Sequence, residues 1–473
     1  MKTSFDHRQL YKFAIFIIGL QIVVSLVQII VESLAGFRFY LFSPYFEPWF
    51  ILMSVITIVV HLILIWYFRI KKYTIALIAL VATFVATLAY TLWVYTALSD
   101  RELWEFIPKA FIMLLSVGAI YSVSLFTSGT RHKRWLFWVG IIGFSLELSL
   151  IALMFWSMNT TSETIPLTIQ KITLWFLVAL SLILTFYILN FKEELDLIKN
   201  KDNSKPSKLL TGIRNTLGII STIGIIVVLN SGFSEYSWEK GKVARSKLLA
   251  GNFEARMYVN NQNDTLRYRL LLPKDYDSSK KYPLVVNLHD GGGVGKDNLI
   301  HLQATSTAQL LATDENREKY PSFIFMPQSP SNAGFGGVLN EPDISNLVFE
   351  AMDYLEQEYN IDDKRRYVIG MSLGGYGSWH FIGVKPEKFA AAVPICGGGT
   401  PALASKMTNI PIWAFHGAYD KAVPVELTRE MINAIRAAGG SPKYTEFSAG
   451  HLIWNQVKNT PEFLDWIFSQ KKE

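Results

Sequence analysis

Tyr367-Val368-Ile369-Gly370-Met371-Ser372-Leu373-Gly374-Gly375-Tyr376 is the stretch on which the reading of this chain turns. Residues 367–369 read as a short buried strand, and 376–383 read as a helix. Between them stands Gly-x-Ser-x-Gly, the pattern of a serine at a tight strand-to-helix turn, the nucleophile elbow. Glycines suit such a turn because neighbouring backbone comes too close for a Cβ atom. The serine side chain is then held out over the sheet.

The same grammar extends outward. Residues 253–259 and 265–272 flank 260–264 as two arms of a hairpin. Buried-strand runs follow at 283–288, 323–326, 390–395, 410–415 and 444–447. Helical segments separate them at 345–358, 376–383, 426–438 and 461–469. Strands alternating with helices predict a mostly parallel, doubly wound sheet covered on both faces. Such sheets collect ligands at the carboxyl ends of their strands.

Three further motifs fall at strand ends. His289-Asp290-Gly291-Gly292-Gly293-Val294-Gly295 follows the run 283–288. Its backbone amides suit a developing oxyanion; a phosphate loop is the alternative, but no Gly-Lys-Ser/Thr follows. His416-Gly417-Ala418-Tyr419-Asp420 follows the run 410–415, and its carboxylate suits an orienting acid. His451 comes after Ser448-Ala449-Gly450. Of the other histidines here, His289 is expected to brace its loop, His301 and His380 fall on helical segments, and His416 reads as structural.

These residues, with Pro327-Gln328, the run 389–399, Val423-Pro424 and Trp454, give the stretch from about 265 onward a specific likeness. It resembles the esterase branch of the α/β-hydrolases: predicted-peptidase, polyhydroxybutyrate-depolymerase-like, and feruloyl- and acetylxylan-esterase-like enzymes. The order Ser, Asp, His is that of the superfamily. The resemblance implies Ser372 as nucleophile, Asp420 as acid and His451 as base, with no metal or cofactor. An oxyanion hole is expected from the backbone N–H of Leu373 and one N–H of the glycine loop, Gly291 or Gly292. Gln328 and Trp454 are expected beside the substrate. Two departures stand out. Asp290 replaces the glycine usual after the loop histidine, and the segment 329–342 is read as lacking the aromatic usual beside the substrate.

The other half of the chain is of a different kind. The whole carries 45 Lys plus Arg against 39 Asp plus Glu, with 50% hydrophobic and only 18% charged residues. The net charge of +6 comes from the first half, where cations sit between long apolar runs. Seven runs approach the ~20 residues needed to cross a bilayer: 11–31, 48–68, 73–98, 108–126, 135–156, 172–189 and 213–233. Trp and Tyr recur at their ends, as interfacial anchors do. The first is read as a span and not as a cleavable signal. This excludes a simple soluble protein, and no basic face remains for nucleic acid. The single cysteine, Cys396, excludes an intramolecular disulfide and any cysteine-based metal cluster.

Lys and Arg concentrate in the N-terminal tail and in every second loop (Lys2, Arg8, Lys12; Arg69, Lys71, Lys72; Arg131, Lys133, Arg134; Lys192, Lys199, Lys201, Lys205, Lys208). The opposite loops hold Arg38, Arg101, Lys109 and Lys171. The N-terminus is therefore expected in the cytoplasm and the second half outside. Arg214 and Asn215 near the start of the seventh run leave its crossing open; without it the second half is cytoplasmic. Glu147 and His61 lie inside spans, at depths differing by roughly 6 Å. They are candidates for pairing or for a proton or ligand path, the plain alternative being a carboxyl hydrogen-bonded between helices.

The expectation is a multi-pass membrane domain (1–233), a juxtamembrane linker (234–252) and an α/β catalytic domain (253–473). The activity expected is hydrolysis of a small-molecule or carbohydrate ester beside the lipid bilayer. Alternatives are a serine peptidase, an acyltransferase acting on cell-surface glycan, and a receptor or transport-linked protein with a non-catalytic hydrolase-like domain.

Overall fold

A computed structural model of the chain describes residues 7–36, 39–40, 43–97, 103, 106–159, 164–198, 207–338 and 341–473. Lys2, Arg38, Arg101, Lys199, Lys201 and Lys205, which entered the charge count, lie outside them. The chain divides into two compact units, Met1–Ser237 and Trp238–Glu473.

The first unit contains helices α1 (His7–Ala35), α2 (Phe46–Ile70), α3 (Thr74–Ala97), α4 (Ile107–Thr127), α5 (Arg134–Asn159), α6 (Thr164–Leu197) and the part of α7 (Lys208–Leu249) that precedes Trp238. All seven are long and apolar enough to cross a membrane. α1 buries Leu10, Tyr11, Ala14, Ile17 and Ile18, the spacing of one helical face. Large apolar side chains also face outward, as Ile75, Ile78, Val85 and Leu92 do on α3. Small residues let α4 and α5 pack closely: a Cβ on Gly140 would sit 2.6 Å from the Ser122 carbonyl oxygen. Residues 234–249, expected as a linker, are helical and belong to α7.

Glu147 and His61 make no hydrogen bond to each other among the described residues. Glu147 Oε2 accepts from Ser122 Oγ at 2.7 Å. The His61 Nδ1 lies 2.8 Å from the Thr57 carbonyl oxygen, and its ring stacks on Phe84. Each polar group found its partner on a different neighbour. An unforeseen cluster lies elsewhere. The buried Glu194 on α6 takes a hydrogen bond from Tyr67 Oη (2.9 Å) and ion pairs from Lys71 Nζ (2.5 Å) and Lys133 Nζ (2.9 Å).

The second unit is built on one eight-stranded sheet. Its strands are β1 (Glu254–Val259), β2 (Thr265–Leu271), β3 (Tyr282–Leu288), β4 (Phe323–Gln328), β5 (Ile361–Met371), β6 (Ala391–Ile395), β7 (Trp413–Gly417) and β8 (Lys443–Phe447). Their order is β1-β2-β4-β3-β5-β6-β7-β8. β1, β2 and β4 pair antiparallel; every pairing from β4 through β3 to β8 is parallel. The β1–β2 turn is closed by Asn260 Oδ1, which accepts from the backbone of Gln262 and Asp264.

Side-chain alternation explains the layers. Leu284 and Val286 of β3 join one core with α8 (Ser345–Glu358), α9 (Leu373–Val384) and α10 (Val425–Ala437). Val285 joins the other core, with Leu302, Leu311 and the residues Phe463 and Ile467 of α11 (Phe463–Ser469). β3 is buried along its whole length because both faces are covered. β5 and α9 are longer than the sequence suggested. Glycines at 374, 375 and 377 weaken any local helix signal, and α9 is set by the packing that follows.

Candidate active site

Ser372 stands between β5 and α9 with φ 57° and ψ −115°. A non-glycine residue there is strained, and such strain clusters at functional sites. Its backbone is tied down: the Ser372 N–H donates to the Ile395 carbonyl, and its own carbonyl accepts from the Tyr376 N–H. The surrounding glycines are required sterically. A Cβ at Gly370 would lie 2.2 Å from the Gly374 carbonyl oxygen, and one at Gly375 2.4 Å from that of Ile395.

Asp420 and His451 come from the loops after β7 and β8. Backbone bonds pin these loops together, Ala418 N–H to Phe447 and Tyr419 N–H to Ala449. The His451 Nδ1 lies 2.6 Å from Asp420 Oδ2, with both side chains buried. Asp420 Oδ1 accepts from the N–H groups of Ala422 (2.8 Å) and Val423 (2.9 Å). Burial alone would raise the Asp420 pKa. Donation from His416 and His451, the charge of His451 and the Val423 N–H outweigh it, so the carboxyl stays ionised well below the usual range. Cys396, at φ 46°, brings its Sγ to 3.4 Å from the His451 carbonyl oxygen.

The glycine loop forms a single 3₁₀ turn, Gly291–Gly293. Asp290, the departure from the expected pattern, caps it: Oδ1 accepts the Gly292 N–H at 2.7 Å. That amide is thereby spent, and among the described residues no partner is assigned to the Gly291 N–H. His289 is fully buried. It donates from Nδ1 to the Asp290 carbonyl (2.7 Å) and accepts the Ser329 N–H at Nε2 (2.9 Å). Burial pushes its pKa down to about 4, so the loop is braced by a neutral ring. His301 lies on the 3₁₀ turn Ile300–Ala304, with both ring nitrogens buried and, among the described residues, without an assigned hydrogen bond. His380 lies on α9, 3.2 Å from Asp343.

Three expectations change. Gln328 is not free to meet a substrate: its Nε2 donates to the Gly293 carbonyl and to Asp297, and its Oε1 accepts the Asn298 N–H. It braces the glycine loop instead. The segment 329–342 does hold an aromatic, Phe335, but it is fully buried edge-on against His289, with ring centres 4.8 Å apart. His416, read as structural, is a second imidazole on Asp420, at 3.1 Å from Oδ2. No sequence signal marks that contact beyond its spacing of four residues from Asp420. Trp454 packs on Phe463 and lines, with Gly370 and Met371, a cavity of about 10 Å³, room for one water at most. A cavity of about 740 Å³ runs along the hairpin, lined by Asp264, Arg267, Lys296, Asn332 and Glu350, and touches none of Ser372, Asp420 and His451.

The family model Esterase matches residues 260–438. "Probable feruloyl esterase C" of Aspergillus terreus is 28% identical over 166 residues, 35% of this chain and 59% of that protein. "Bifunctional acetylxylan esterase/xylanase XynS20E" of Neocallimastix patriciarum is 34% identical over 73 residues, 15% of this chain and 11% of that one. A solved structure described as a thermostable esterase is 35% identical, covering 48% of this chain and 64% of its own, with a TM-score of 0.45. The chain spans less than two thirds of these relatives. Residues 260–438 of the second unit are thus similar to the esterase family, a likeness that supports an α/β-hydrolase esterase domain there.

Proposed function

We propose that the second unit hydrolyses carboxylic esters through an acyl-enzyme intermediate. His451, oriented by Asp420, takes the proton of Ser372 as its oxygen attacks the ester carbonyl. The oxyanion is met by the N–H of Leu373 and that of Gly291, since the Gly292 N–H is already taken by Asp290. One such donor is typically worth about 3 kcal/mol in the transition state. The alcohol then leaves with a proton from His451, and water releases the acyl group by the reverse steps. The observation that carries this reading is the His451–Asp420 contact of 2.6 Å in a fold that also holds Ser372 in strained backbone at a strand end. Relatives named for feruloyl and acetylxylan esters favour an acylated carbohydrate as substrate.

A fluorophosphonate probe tests it. The wild-type chain is expected to be labelled and Ser372→Ala not, with kcat of the variant lower by about 10⁴ or more. Near-normal ester hydrolysis by Ser372→Ala excludes the assignment. The seven apolar helices support a multi-pass membrane protein, and the Lys and Arg of its N-terminal tail and alternate loops favour the cytoplasmic membrane with the N-terminus inside and the catalytic unit outside. A membrane-impermeant version of the probe should then label intact cells as fully as lysate; labelling of lysate alone reverses the topology.

A further inference from the structure

His416 is completely buried on β7. Its Nε2 lies 2.9 Å from the Val423 carbonyl oxygen and 3.1 Å from Asp420 Oδ2. Both neighbours only accept, so Nε2 carries a proton. Its Nδ1 lies 2.8 Å from Thr428 Oγ1. The Thr428 hydroxyl has a single proton and donates it to the Gly397 carbonyl at 2.7 Å. Toward the ring it offers only a lone pair, so Nδ1 carries a proton as well. The donor chain Nδ1–H to Thr428 to Gly397 thus fixes a doubly protonated ring against the carboxylate that also holds His451.

We propose that His416 is a positioning residue for the catalytic base: a buried imidazolium that pins Asp420 Oδ2 and offsets part of its charge before His451 feels it. The proposal rests on the ester-hydrolysis reading above. Two consequences follow from Coulomb's law at short range. Asp420 is held in one orientation from both sides, by His416 and the two backbone N–H groups. The field of the carboxylate at His451 is also weaker than that of a bare one, so a change at His416 reaches the base through Asp420. The other groups facing the ring keep this balance. Cys396 Sγ lies within 4.8 Å of the reactive atoms of His416 and Asp420. Glu446, the partner of His416 on β8, is committed to Arg429 of α10, with Oε1 2.6 Å from Nη2. Lys421 follows Asp420 in the loop.

The test uses the full-length chain in detergent micelles, with active sites counted by the fluorophosphonate probe. Turnover of a chromogenic acetate ester is followed from pH 5 to 9. His416→Gln, neutral but able to donate, is expected to move the rising limb of kcat upward by about one pH unit. Its plateau kcat per active site should fall about tenfold with KM unchanged. Thr428→Val, which removes the acceptor of Nδ1, should shift the limb the same way by less, and Thr428→Ser should restore the wild-type midpoint. A His416→Gln protein with the wild-type midpoint and kcat per active site overturns the proposal. If that variant does not accumulate, equal midpoints for Thr428→Val and Thr428→Ser overturn it equally. A wild-type chain that is never labelled removes the hydrolysis reading itself, a different failure.

Discussion

A methyl group at position 374 would meet the Leu288 carbonyl oxygen at 2.3 Å and that of His289 at 3.0 Å. Both are backbone atoms of the sheet and its loop, and neither can swing aside. Gly374→Ala should therefore destabilise the second unit by about 2 kcal/mol or more, read as a lower unfolding midpoint with weaker probe labelling. Ser372 carries the opposite cost. Its strained backbone costs about 1–3 kcal/mol, which alanine keeps and glycine relieves. Ser372→Gly should thus unfold a few degrees above Ser372→Ala, both being inactive. Equal melting points would mean that the elbow is not strained. At this scale the sequence was most legible where a residue type answers a local demand of the backbone, as at Gly370, Ser372 and Gly374. The contacts of His416 with Asp420, Thr428 and Val423 were not legible because they gather only after β7 and α10 have packed.

The elements of the sheet were readable because both faces are buried, which forces continuous apolar runs such as 283–288. Their ends were less readable. β5 begins at Ile361, six residues before its apolar run, in a charged stretch with no strand signature of its own. The short helices Ser306–Leu311 and Asp314–Lys319 went unforeseen because six residues make too little periodicity to recognise. In the glycine loop, Asp290 stands where the resemblance implies glycine, and it caps the turn. Asp290→Ala should cost roughly 1 kcal/mol of stability. It should also lower kcat several-fold while leaving KM nearly constant, because the turn that presents Gly291 loosens. A variant with wild-type kcat would place the oxyanion donor elsewhere. Among the long helices, Glu194 was overlooked since it lies beyond the run 172–189, in a stretch that reads as loop.

The chain as a whole joins two units of different composition, and the average of the two hid both. The apolar first unit exposes Ile, Leu and Val on its surface, where the second buries them between layers. The second unit also stores a pH dependence in its buried histidines. Burial lowers the pKa of His289 to about 4. It lowers that of His301, aided by the charges of His289 and Arg269, to about 3. Each folded value lies below the unfolded value of about 6.5. The unfolded chain therefore takes up protons first as pH falls, and stability drops from about pH 6.5 down toward those lower values. At pH 5 the loss is about 2 kcal/mol per ring. Asp420 does not add to it in this window. Its folded pKa is depressed, so its contribution is complete above about pH 4 and is lost only below. The unfolding midpoint of the second unit in the full-length chain should fall by several degrees between pH 7 and pH 5. His301→Leu should remove about half of that fall, since both ring nitrogens of His301 are buried without an assigned hydrogen bond among the described residues, so an apolar side chain forfeits little there. Parallel pH profiles for the wild type and His301→Leu would show that the ring is already protonated, or hydrated, in the folded state.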